Sequence, residues 1–77
     1  MQRRYRTIPD LKVHESALTL AFSNPELACK LTAMGVLPGT RIEMVRQAPF
    51  GSAYYIKVDG FRMALREEEA ASILLEI

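Results

Sequence analysis

Glycine and proline punctuate this chain at short intervals: Pro9, Pro25, Gly35, Pro38, Gly39, Pro49, Gly51 and Gly60. Such spacing reads as short strands joined by tight turns. From Ser16 to Phe22 the residues alternate, with Leu18, Leu20 and Phe22 on one face and Ala17, Thr19 and Ala21 on the other. The leucine face is expected to point inward. Ahead of it, Ile8-Pro9-Asp10-Leu11 reads as an extended entry, because Pro9 lacks a ladder donor.

At Ser23-Asn24-Pro25-Glu26 the period changes to a helical one. Either Asn24 caps with Pro25 at the first helical position, or Ser23 and Glu26 form a capping box. Leu27, Leu31 and Met34 make one apolar stripe, and Gly35 suits the left-handed residue that ends a helix, giving a helix of about 25–34. Leu37-Pro38-Gly39-Thr40 has the residues of a type II turn. A strand over 41–47 follows, with Ile42 and Met44 on one face and Glu43 and Val45 on the other, until Ala48-Pro49-Phe50-Gly51-Ser52 breaks it. Tyr54 to Val58 and Phe61 to Leu65 flank Asp59-Gly60, a two-residue hairpin signal. A helical turn at 67–71 and a strand carrying Ile73, Leu75 and Ile77 close the chain. The fold class expected is mostly β: a small, strongly bent barrel with one inserted helix, closure hiding the sheet edges. Its core is expected to be Leu18, Leu20, Phe22, Leu27, Leu31, Met34, Ile42, Met44, Ile56, Val58, Met63, Leu65 and Ile73.

Composition narrows the function. A chain of 77 residues makes one domain, and at that size folding buries only roughly 60% of the surface. With 49% hydrophobic and 25% charged residues the chain is expected to be globular and not disordered. A net charge of +1 argues against indiscriminate nucleic-acid binding. One cysteine excludes an intramolecular disulfide and suits a reducing compartment. Met1 to Arg6 is basic but no apolar segment follows it, so neither a secretion signal nor a membrane span is expected, and the reading is cytoplasmic. Residues 1–7 are expected to be a flexible arm.

With these pieces in place, the chain resembles the FeoA family. The resemblance is carried by Leu31-Thr32-Ala33-Met34-Gly35-Val36-Leu37-Pro38-Gly39-Thr40, Ala48-Pro49-Phe50-Gly51, Ile56-Lys57-Val58-Asp59-Gly60 and Met63-Ala64-Leu65-Arg66, then Glu69-Ala70 and Ile73. It implies an SH3-like β-barrel, and a role as the small cytosolic partner of a FeoB-type ferrous-iron transporter, whose cytosolic part is a GTPase. Fe2+ or another transition metal is implied as a ligand by the resemblance alone. The domain also resembles the C-terminal module of metal-dependent repressors, here as the stand-alone form. One departure concerns Lys12-Val13-His14-Glu15-Ser16, where family members carry a glycine-containing turn. It leaves the register of the first long strand open, and with it self-association by strand exchange.

The candidate chemistry is sparse. His14 and Cys29 are the available imidazole and thiol, without Cys-x-x-Cys or His-x-x-x-His spacing, so they read as two unrelated residues, with a site shared between protomers as the alternative. No Ser-His-Asp set or phosphate loop is present, which argues for a non-enzyme. Glu67, Glu68 and Glu69 read as a solvated face. Arg41, Arg46, Arg62 and Arg66 lie on or beside strands, where an Arg could assist a partner's phosphoryl transfer, although each also reads as an ordinary surface Arg. The residues expected to dock a partner are Val36, Leu37, Arg46, Phe50, Tyr55 and Arg62. Two placements of the aromatics stay open: exposed for a partner, or Phe50 folded over the barrel mouth and Tyr55 on the helix. A competing reading takes Arg3-Arg4-Tyr5-Arg6 as a nucleic-acid arm, and a metal-responsive regulatory module is the other alternative.

Overall fold

The computed structural model describes residues 5–76. Six strands alternate with two short helices: β1 (Tyr5–Thr7), β2 (Ser16–Phe22), α1 (Pro25–Met34), β3 (Arg41–Gln47), β4 (Tyr54–Val58), β5 (Phe61–Leu65), α2 (Glu67–Ala71) and β6 (Ile73–Glu76). They form one antiparallel sheet in the order β1-β6-β2-β3-β4-β5. Among the described residues no ladder joins β1 to β5, so the closure expected to hide both edges is not made by strand pairing. Tyr5–Thr7 pair with β6 in place of the flexible arm expected there, and Arg6 is tied to Glu15. Residues 1–4 of that arm lie outside the described residues, as does Ile77.

Local chemistry accounts for the elements. The Asn24 side chain accepts from the N–H groups of Glu26 (3.0 Å) and Leu27 (3.3 Å), which resolves the cap in favour of Asn24 over the Ser23/Glu26 box. At the other end Gly35 adopts φ +102°, and Val36 N–H donates to the Leu31 carbonyl at 2.9 Å. This closure turns Val36 back onto Leu31, and both are fully buried. Asp59 and Gly60, at φ +50° and +84°, make the tight turn of the β4–β5 hairpin.

The core differs from expectation in β2. Ala17 and Thr19 face inward, Leu18 is half-buried, and Leu20 is 49% exposed. The reason is register: Ala17 lies opposite Ile42, and directly paired residues share a face, so the inward Ile42 fixes Ala17 inward too. A bulge between Thr19 and Ala21 then ejects Leu20 and returns Phe22 to the core side. Met34 is also largely out, because Val36 takes the place beneath the helix end. Ile8, Leu11, Ala17, Val36, Tyr54, Ala70 and Leu75 join the buried set that was expected of Leu31, Ile42, Met44, Ile56, Val58, Leu65 and Ile73. Phe22, Leu27 and Met63 pack against it half-buried. Ile8 arrives through a 3-10 turn over Ile8–Asp10 where an extended entry was expected.

Candidate functional site

A second bulge builds a concavity on the outer face of the sheet. Along β3, Ile42 and Met44 point inward, and strict alternation would send Arg46 inward as well. Between Met44 and Arg46 the register shifts, so that Met44 pairs with Ile56 and Arg46 with Tyr55. The extra residue, Val45, swings Arg46 to the outer face. Gln47 takes the inner parity in its place and donates from Nε2 to the Leu11 carbonyl at 3.0 Å. The Arg46 guanidinium then lies over the Tyr55 ring, 4.7 Å from its centroid. A pairing of this kind contributes about 0.5–1 kcal/mol at an exposed site and holds both side chains in place.

Tyr55 lies opposite Ala64, and Lys57 lies opposite Arg62. The result is a groove of about 470 Å³ whose polar margin is Arg46, Tyr55 and Arg62, with Val45, Met63 and Ala64 among its apolar lining. Three of the residues expected to dock a partner therefore meet in one place. Tyr55 is half-buried, its ring beneath the Arg46 guanidinium. Phe50 is fully exposed at φ +63° and does not fold over the sheet. It lies outside the groove lining, on the turn that links β3 to β4. Leu37 is 45% exposed on the turn after α1, whereas Val36, expected to help dock a partner, is fully buried by the helix closure described above and has no surface to offer one.

The other candidates scatter. Arg41 donates to Ser16 Oγ at 3.4 Å, in a separate concavity of about 240 Å³ with Glu43, Lys57 and Asp59. Arg66 precedes α2, and its N–H donates to Glu69 Oε1 at 2.8 Å. Glu69, expected in a solvated run, is 4% exposed and pairs with Lys30. The Lys30 ammonium first, and the Arg66 N–H second, hold its carboxyl below the ordinary glutamate range. Spacing alone could have marked it, since Glu69 is the third residue of a helix and can reach back to the cap. Cys29 is exposed on α1, and His14 lies 3.8 Å from Glu43 with its side chain 81% exposed. Among the described residues no three His, Cys, Asp or Glu side chains converge as a metal site needs, so no metal-dependent step can be assigned to them. Nor, among those residues, is any helix long and apolar enough to cross a membrane.

Comparison with known proteins agrees with this architecture. A search of curated proteins finds no match. Among solved structures, the chain is similar to iron(II) transport protein A from Clostridium thermocellum, with 32% identity, a TM-score of 0.85, and coverage of 94% of this chain and 45% of that one. It is similar to Stenotrophomonas maltophilia FeoA complexed with zinc, described as a prokaryotic SH3 domain protein, with 28% identity, a TM-score of 0.78, and coverage of 92% of this chain and 89% of that one. The fold also recurs in a manganese-dependent transcriptional repressor, with 13% identity, a TM-score of 0.85, and coverage of 97% of this chain and 43% of that one. At that identity the likeness is one of fold alone. The model of the FeoA domain matches residues 6–77, and the chain belongs to the FeoA family.

Proposed function

We propose that this chain is a cytoplasmic accessory protein of ferrous-iron uptake that docks on the GTPase part of a FeoB-type transporter. It acts by contact, changing assembly or gating, and supplies no chemistry of its own. Iron is the transporter's cargo in this reading. The family association with ferrous-iron transport supports the setting. The observation that carries the docking mode is the groove in which Arg46 over Tyr55 faces Arg62 across an apolar floor. Arg and Tyr on a rigid sheet are the side chains that interaction hot spots favour. Behind that groove we read the six strands as curling into an SH3-like barrel whose two sheet ends approach without pairing.

Calorimetry of the chelator-treated chain tests the proposal, first against the isolated GTPase part and then anaerobically against Fe(II). Heat with the GTPase part is the expected result. Heat with Fe(II) and none with the GTPase part would replace docking by a metal-binding role.

A further inference from the structure

We infer that the outer-face groove takes an extended acidic peptide segment, with carboxylates reaching Arg46 and Arg62 and an apolar side chain between them. The inference rests on the docking reading and names the chemistry of what docks.

Its first support is unbalanced charge. Lys57 and Arg62 lie directly opposite each other on neighbouring strands, where like charges repel. Arg46 adds a third cation to the same face. Among the described residues none of the three has a carboxylate within ion-pair distance, although Arg6, His14 and Lys30 each have one. A face that keeps its cations unpaired is complementary to carboxylates arriving from outside.

The second support is shape. Arg46 and Arg62 are separated by two strand spacings and two residue rises, which puts their Cα atoms roughly 12 Å apart. An extended peptide covers that span in about four residues. Between the two on the outer face lie the Tyr55 ring and the Ala64 methyl, an apolar floor suited to one hydrophobic side chain.

A nucleic-acid strand could also use Arg and Tyr, but the observations favour the peptide. Beside Lys57 and Arg62 the face turns acidic, with Glu43 opposite Lys57 and Asp59 at the hairpin, so no continuous basic track follows the cations.

The test uses the full chain and fluorescence anisotropy of a labelled peptide, Glu-Asp-Leu-Phe-Glu-Asp, beside an isomer with lysine at each acidic position and a short oligothymidylate. The acidic peptide is expected to bind, to weaken as salt rises from about 0.05 M to about 0.5 M, and to lose about three- to fivefold affinity in each of Arg46→Gln and Arg62→Gln. Both side chains are exposed, so Arg62→Gln should melt as the parent does, and Arg46→Gln should lose no more than the contribution of its Tyr55 pairing and stay folded. Arg46→Lys keeps the charge and loses the flat stack on Tyr55, giving a smaller loss. Equal binding of the lysine isomer, or tighter binding of the oligothymidylate, overturns the inference. Absence of peptide binding while the GTPase part still binds overturns the acidic segment and leaves docking standing. Peptide binding without any binding of the GTPase part supports the groove chemistry and overturns the transporter reading.

Discussion

At position 14 the backbone needs a residue that accepts φ +73°, and the chain supplies histidine. The turn it makes delivers the strand correctly, for His14 N–H donates to the Met44 carbonyl at 2.7 Å and Met44 N–H to the Glu15 carbonyl at 2.9 Å. Histidine is one of the residues that tolerate the left-handed region better than most, which explains how the turn forms without glycine. The side chain does little else, being exposed and only 3.8 Å from Glu43. His14→Gly is therefore expected to raise stability by up to about 1 kcal/mol, read as a higher urea midpoint at an unchanged slope. Phe50 presents the opposite case, a left-handed residue with its ring entirely in solvent. Nothing in the fold holds the ring, so Phe50→Gly is expected to leave thermal stability unchanged or higher by about 1 kcal/mol. If it lowers the melting temperature, the exposed placement of Phe50 is wrong.

The elements show where sequence patterns succeed and where they stop. Helix α1, the hairpin turn and strands β3 to β5 were legible because each carries local chemistry: Asn24 and Gly35 at the helix ends, Asp59-Gly60 between strands. The inward face of β2 was not, because it is set by pairing with β3 and by a bulge, neither of which leaves a mark on alternation. The same blindness applied to the site. Arg46, Tyr55 and Arg62 were all singled out, but the bulge at Val45 that gathers them depends on the partner strand. The β2 correction can be measured: Leu20→Ala should cost under about 1 kcal/mol, whereas Ile56→Ala should cost roughly 2–5 kcal/mol by opening a cavity. The two short acidic anchors make a second prediction. Lys30 and the Arg66 N–H lower the Glu69 pKa, and the Lys12 N–H followed by Arg6 lowers that of Glu15. Each folded-state value lies below the unfolded one, so the stabilisation is present above about pH 4.3 and disappears as pH falls through the lowered values. Urea midpoints should fall from about pH 5 downward, and Glu69→Gln should flatten that slope. A slope unchanged in Glu69→Gln would remove the Lys30–Glu69 anchor from the account.

For the whole molecule the central question is which surface a partner reads. The core occupies the inner face of the sheet and the space under α1, leaving the outer face of β3, β4 and β5 free to carry Arg46, Tyr55 and Arg62. A rigid sheet presents these side chains at fixed spacing, so recognition needs no large rearrangement. The most direct test is a calorimetric titration of the GTPase part of a FeoB-type transporter with the parent chain, with the Arg46→Glu/Arg62→Glu double variant, and with Lys12→Glu as a charge control away from the groove. The account expects the double variant to lose at least about tenfold in affinity while Lys12→Glu binds like the parent. Equal binding by all three would place the docking surface elsewhere on the protein.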